Sequence, residues 1–461
     1  MSLLGTFIVP HPPIIIPDVG KGQQVKIQKT IDAYREIAQR IAAMKPDTII
    51  ITTPHSDMYA DYFHISPGNN AIGSFKEFGA PKTRFAVEYD NELAKIISSL
   101  ANESGISAGT LGERNKTLDH GTMVPLYFIN QVYQKYKIVR MSLSGLSLLS
   151  HYQIGKCISS AIQKTAKNVV LIASGDLSHK LTNDGPYGFA VEGRQFDQQI
   201  TEAITKGDFA RFLTFDDDFC ETAAECGLRS FVIMAGSLDG KRVKSQLLSY
   251  EGPFGVGYAV AAFSIEGNDD SKRFDLIYSQ EETKRIKDIQ SNEDSFVSLA
   301  RKSLEHYMKT STLLPRPTNL PEELTKKKAG VFVSLKMDGS LRGCIGTISP
   351  TTDCIADEII RNAVSSGTED PRFEPIHEND LSKIIITVDV LGETESITSL
   401  SELDVKRFGV IVRSRNRCGL LLPNLEGIAT VEEQVKIALR KGGISPTEKY
   451  TMERFEVIRH K

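Results

Sequence analysis

The sequence contains no Cys-x-x-Cys pair. Its six cysteines, Cys157, Cys220, Cys226, Cys344, Cys354 and Cys418, stand singly along 461 residues. That spacing excludes a zinc ribbon and the clustered thiolates of an iron–sulfur centre, and reduced thiols in a cytoplasmic protein are expected. No apolar run approaches the roughly 20 residues that span a bilayer. The stretch from Met1 to Pro10 is apolar, but it lacks a basic leader and is followed by Pro12 and Pro13. A strand is expected there, not a signal peptide. Excess charge of either sign is also missing, with 55 Lys and Arg against 58 Asp and Glu, so neither nucleic acid nor a membrane is expected as a partner. There is no internal repeat and no low-complexity tract. Histidine is scarce at nine residues, which makes the placement of each informative.

The length exceeds what one hydrophobic core usually supports, and two domains are expected. Thr6–Val9, Thr48–Ile51, Lys137–Met141 and Val169–Ala173 are short apolar runs rich in β-branched residues and read as buried strands. Between them run helical patterns; in Gln24–Ala43 the residues Ile27, Ile31, Tyr34, Ile37 and Ile41 recur at three- and four-residue steps. Alternation of this kind predicts an α/β domain over residues 1–265, a central sheet flanked by helices, closed by a strand at Val256–Ser264. The polar, charged stretch 266–292 is expected to be a linker. Residues 293–461 predict a second, smaller α+β domain. A helix begins near Ser295, strands are expected at Gly330–Leu335, Lys383–Val390 and Gly409–Val412, and helices at Cys354–Val364 and Val431–Leu439.

Four of the nine histidines lie in short loop motifs: Pro10-His11-Pro12, Pro54-His55-Ser56, Asp119-His120-Gly121 and Gly175-Asp-Leu-Ser-His179. His11, His55 and the Asp176–His179 segment follow predicted strands, and catalytic groups of open α/β sheets gather beyond strand ends. Each histidine alone is better read as a capping or hydrogen-bonded structural residue than as a ligand. Together they suggest a mononuclear metal site, with Glu225 in Ala224-Glu-Cys-Gly227 as the best acidic candidate for a third ligand. His11, His55 and Glu225 would form the two-histidine, one-carboxylate face on which non-haem Fe(II) enzymes bind substrate and dioxygen. His120 and His179 would then be available for proton transfer.

Pro10-His-Pro-Pro13, Thr53-Pro-His-Ser56, Leu118-Asp-His-Gly-Thr122, Ser174-Gly-Asp-Leu-Ser-His179 and Glu225-Cys226-Gly227 resemble the motifs of the class III extradiol dioxygenases with the LigB-like fold, and of the Memo-like proteins that share it. The resemblance implies His11 and His55 as metal ligands, His179 as catalytic acid/base, His120 as a group contacting substrate or oxygen, and Glu225 as the carboxylate ligand of Fe(II), with an aromatic diol as substrate. Memo-like proteins carry a Cys-Gly pair in this segment, and Cys226-Gly227 matches it equally, which implies a thiolate ligand instead. Leu341-Arg-Gly-Cys-Ile-Gly346, with Glu369-Asp-Pro-Arg-Phe373 and Val388-Asp-Val-Leu391, resembles the AMMECR-type domain. In it Arg342 is a candidate anion clamp and Cys344 a candidate nucleophile. The order of the two domains is similar to that of a component of the AmmeMemoRadiSam system, which implies a radical S-adenosylmethionine protein as partner. The resemblance therefore supports two functions, a ring-cleaving dioxygenase or a metal-binding factor of that partner without oxygen chemistry.

Overall fold

Successive isoleucines of Thr48–Thr53 face opposite ways, and this alternation organises the first domain. Ile50 joins a core with Val139, Met141 and Leu171, whereas Ile49 and Ile51 join a second core with Phe7, Val9 and Ile172. A strand buried on both faces must lie inside a sheet covered by helices on both sides. In the computed structural model, which describes residues 2–337, 340–425, 428 and 430–461, that sheet has six strands: β1 (Leu3–Val9), β2 (Thr48–Thr53), β3 (Lys137–Ser142), β4 (Val169–Ser174), β5 (Lys241–Glu251) and β6 (Tyr258–Asn268). Their order is β3-β2-β4-β1-β6-β5. The first four are parallel, and β6 and β5 are added antiparallel.

Helices α1 (Gln28–Met44) and α3 (His120–Ile129) cover one face. Helices α2 (Asn91–Glu103), α4 (Leu148–Gln163), α5 (Val191–Lys206) and α7 (Leu228–Ser237) cover the other, with the short α6 (Asp217–Ala223) leading into α7. Each fully buried Ile or Val contributes about 1.5–3 kcal/mol of apolar burial, so a charge placed on β2 or β4 would break the layer. Because β1, β2 and β4 run parallel and adjacent, the loops after Val9, Thr53 and Ser174 emerge at one edge. Strand β5 carries no apolar run in the sequence. It is an edge strand, with Lys241, Lys244, Ser245 and Gln246 along it, and edge strands need bury only one face.

The chain divides into two compact units between Ser279 and Gln280. The stretch 266–292, expected as linker, contains helix α8 (Phe274–Ser291). Its few apolar residues suffice for local anchorage, with Phe274 and Ile286 each 5% exposed. In the second unit one antiparallel sheet joins β7 (Val331–Met337), β8 (Ser340–Gly346), β9 (Ile385–Leu391) and β14 (Val457–His460) in the order β8-β7-β9-β14. Helices α9 (Ser295–Thr310) and α10 (Ile355–Thr368) pack on it through Leu299, Leu304, Ile359 and Ala363. A second sheet, β10 (Glu395–Ile397), β13 (Thr451–Phe455), β11 (Gly409–Ser414) and β12 (Arg417–Leu421), packs against α11 (Val431–Lys441). The α/β and α+β expectations both describe what is found.

Candidate metal centre

The strand ends converge as the parallel topology requires. His11 follows β1 and is buried; His55 follows β2 and stands on the open side. Their Nε2 atoms are 2.9 Å apart. The third donor is Cys226, whose Sγ lies 3.6 Å from Nε2 of His11. Among the described residues these three form a group of possible ligand atoms all within 4.8 Å of one another. Two imidazole nitrogens on one tetrahedral ion stand about 3.3 Å apart, and a nitrogen and a thiolate sulfur about 3.6 Å, from metal–ligand distances of about 2.05 and 2.3 Å. The His11–Cys226 spacing already has that value, and the two imidazoles need separate by only a few tenths of an ångström.

Glu225, expected as the carboxylate ligand, is not brought to the histidines. Its Oε2 accepts the backbone N–H of Leu228 at 2.6 Å and so satisfies an otherwise unpaired donor in the first turn of α7. Burial pushes its carboxyl up to about 7. Adjacent residues diverge in direction, so one had to turn away, and the backbone decides which. Ala224 ends α6 in the left-handed region at φ 52°, a conformation that costs a non-glycine residue roughly 1 kcal/mol. Beyond it Gly227 meets Gly175 so closely that a Cβ on Gly175 would lie 2.2 Å from the Gly227 Cα. This contact pins the chain with Cys226 inward, where the Asp176 N–H donates to its sulfur at 3.3 Å.

His11 is held in one tautomer. Its Nδ1 lies 3.0 Å from the Ser174 hydroxyl, and that hydroxyl donates its single proton to the Gly121 carbonyl at 2.7 Å. Ser174 can only accept from His11, so Nδ1 carries the hydrogen and Nε2 presents its lone pair to the centre. The Gly121 carbonyl is free for this because the residue four positions on, inside α3, is Pro125, which has no N–H to return. The backbone N–H of His11 donates to Asp176 Oδ1 at 2.7 Å.

His120 and His179 flank the cluster. Asp119 caps α3 by accepting from Thr122 N and is itself held by the Thr53 hydroxyl at 2.7 Å. This sets the His120 ring centroid 4.0 Å from that of His55 and 5.3 Å from that of His11. His179 donates Nδ1–H to the Ala224 carbonyl at 2.5 Å, which leaves its Nε2 as a proton acceptor. Burial holds His11 well below its ordinary range, reinforced by His55, His120 and His179. Loss of water and the nearby His120 bring His55 to about 4, and burial lowers His120 and His179. At neutral pH all four rings are uncharged, the form in which imidazole ligates a metal or takes a proton. Burial, with Asp176 and Glu225 nearby, raises the Cys226 thiol well above its ordinary value.

The sequence reading passed over Ser174 and Pro125 as contributors to this site. A signal for them was present. A proline inside a helix frees the carbonyl four residues earlier, and here that carbonyl belongs to the residue after His120. In the second domain the Arg342 guanidinium donates to the carbonyls of Glu374 and Pro375.

Comparison with known proteins agrees with this layout. Residues 5–261 match the family model described as the catalytic LigB subunit of aromatic ring-opening dioxygenase, and residues 297–460 match the AMMECR1 model. A protein of Clostridium acetobutylicum is 45% identical over 469 residues, covering 100% of both chains. A Thermotoga maritima protein is 45% identical over 171 residues, covering 36% of this chain and 98% of its own. Among solved structures, an uncharacterized Pyrococcus horikoshii protein is 31% identical with a TM-score of 0.34, covering 36% of this chain and 88% of that one. An uncharacterized Escherichia coli K12 protein is 14% identical with a TM-score of 0.38, covering 57% and 99%.

Proposed function

Because the chain belongs to the LigB family through residues 5–261 and carries an AMMECR1 domain over residues 297–460, we propose that its first domain binds a single iron(II) ion through His11, His55 and Cys226. The observation that carries this reading is the convergence of two neutral imidazoles and one thiol at the shared edge of β1, β2 and β4. Two nitrogens and a sulfur suit a first-row ion of intermediate softness. When bound, such an ion supplies Lewis acidity or one-electron chemistry.

A thiolate in place of the expected carboxylate favours the Memo-like reading over ring cleavage. On that reading the protein is a metal-bearing factor that works with a radical S-adenosylmethionine protein, as the domain order implies. The chain's own residues have definite parts. Ser174 fixes His11, Asp176 orients both His11 and Cys226 through its carboxylate and backbone N–H, and His179 Nε2 holds or accepts a proton at the rim. A second reading, dioxygenase action on a catechol-type diol, is favoured by the family's description and by the paired proton-transfer groups His120 and His179. Oxygen uptake by anaerobically iron-loaded protein on addition of varied catechols separates the two. Absence of uptake with every diol, alongside co-purification with the radical protein, supports the factor; uptake abolished by His179→Ala supports the dioxygenase.

A further inference from the structure

Among the described residues Arg140 is the one lysine or arginine that is fully buried. It lies on β3, the edge strand of the six-stranded sheet, opposite Ile51 of β2, and like Ile138 two residues earlier it faces the side that α3 covers. A buried charge is costly unless partners surround it, and here they do. Nε donates to the Ser66 hydroxyl at 2.6 Å, Nη1 to the Thr117 carbonyl at 2.6 Å and Nη2 to the Asn115 carbonyl at 3.3 Å. The carboxylates of Glu113 and Asp119 each lie 3.6 Å from the guanidinium. The cation thus gathers the segment 113–119, which ends in Asp119.

Asp119 passes this order on to the metal centre. Its Oδ1 accepts from Thr53 Oγ1 at 2.7 Å and from Thr122 N at 3.0 Å, while its Oδ2 accepts from the Thr122 hydroxyl at 2.9 Å and faces Arg140. Thr53 gives its single proton to Asp119, so its oxygen is left to accept, and it receives the backbone N–H of His55 at 3.2 Å. Gly121 makes this approach possible, because a Cβ there would lie 2.3 Å from Thr53 Oγ1. An apolar residue at position 140 would join sheet and helix at lower cost. It would leave Asp119 unopposed and the Thr53 hydroxyl undirected.

We propose that Arg140 is a positioning residue of the metal centre, fixing His55 through Asp119 and Thr53. The inference rests on the reading of His11, His55 and Cys226 as iron(II) ligands. His11 is buried and held by Ser174 and Asp176, and Cys226 is held by Asp176. His55 stands on the open side, so the direction of its ring depends on the backbone that bears it. The contacts from Arg140 to the His55 N–H supply that constraint from inside the fold.

Two readouts on the full chain test this: the iron(II) dissociation constant from anaerobic titration, and the hydrogen-exchange rate of the His55 amide in the metal-free protein, read by mass spectrometry with electron-transfer fragmentation. In Arg140→Lys the charge is kept, but one ammonium cannot span the five partners of the guanidinium. This variant should weaken iron(II) binding about 10-fold or more, as loss of an orienting partner does, and speed His55 exchange about 5–10-fold, the worth of one hydrogen bond. Thr53→Val should do the same, and Thr53→Ser, which keeps the hydroxyl, should restore most of both. Arg140→Lys combined with Thr53→Val should be no worse than Thr53→Val alone, because both changes break one chain of contacts. Ser66→Ala removes the Nε acceptor, loosens the same guanidinium and takes the place of Arg140→Lys if circular dichroism shows that variant unfolded. Additive losses in the double variant, or His55 exchange unmoved when the guanidinium is loosened, would overturn the proposal and assign the cation to packing alone. A native chain that binds no iron(II) would instead remove the ligand reading, and the exchange rates would still decide whether Arg140 holds His55.

Discussion

The Ser174 hydroxyl accepts a hydrogen bond from Nδ1 of His11 at 3.0 Å while giving its own proton to the Gly121 carbonyl. One hydroxyl thus links the first turn of α3 to the buried imidazole and decides which ring nitrogen faces the centre. Ser174→Ala should weaken iron(II) binding by roughly 10–100-fold, the usual cost of losing a partner that orients a metal-bound histidine. Pro125→Ala restores an N–H that competes with Ser174 for Gly121, and should weaken binding by a smaller factor. Anaerobic titration gives both constants. An affinity unchanged in Ser174→Ala would remove the relay from the account.

Metal binding should release a proton. The histidines are already neutral, and the buried Cys226 must pass from thiol to thiolate to ligate. Calorimetry at neutral pH in buffers of different ionisation enthalpy should give about one proton per ion, the thiol's own. In Cys226→Ser the release should disappear along with most of the affinity. Full release in that variant would assign the proton to another group.

Glu225→Ala should separate folding from ligation. It removes the acceptor for Leu228 N–H at the start of α7 and should cost about 0.5–2 kcal/mol of stability, as loss of a helix-start cap does. Denaturant melts should show this loss while the metal stoichiometry stays at that of the native chain. Loss of binding without loss of stability would return Glu225 to the ligand set.

His151 makes stability depend on pH. It is fully buried in α4, donates Nδ1–H to the Ser147 carbonyl and accepts Ser144 N–H on Nε2. Burial lowers it to about 3. The unfolded chain therefore binds a proton below pH about 6.5 that the folded chain refuses, so this stabilisation is complete above that pH and falls as pH drops toward 3. The slope is about 1.4 kcal/mol per pH unit for one proton. Urea melts between pH 7 and 5 should show it as a difference, the stability of His151→Gln falling less steeply with pH than that of the native protein by about this slope; parallel profiles would contradict it.

The buried strands and helical faces were legible because Ile, Val and Leu recur at the periods that sheets and helices impose, as in Thr48–Ile51 and Gln24–Ala43. The loops bearing His11, His55 and His179 were legible for the same reason, since each directly follows a strand. The third donor was not. Glu225 and Cys226 are neighbours with equal chemical claims, and the choice rests on the left-handed turn at Ala224 and the contact of Gly175 with Gly227, two distant loops. Strand β5 was hidden because an edge position tolerates Lys and Arg. Helix α8 was hidden because Phe274 and Ile286 are too few to reveal a period. The meeting of Cys344 with Asp370 and Arg372, in which the Cys344 N–H donates to the Asp370 carboxylate and the Arg372 guanidinium to the Cys344 carbonyl, depends on packing between separate motifs, which spacing does not encode.

The central claim is that sulfur, not a carboxylate, completes the metal set. X-ray absorption on protein loaded anaerobically with one equivalent of iron(II) tests it directly. The account predicts one sulfur scatterer at about 2.3 Å beside nitrogen scatterers at about 2.0–2.1 Å, with the sulfur shell lost in Cys226→Ser and kept in Glu225→Ala. A shell of nitrogen and oxygen alone, unchanged by Cys226→Ser and altered by Glu225→Ala, would contradict it.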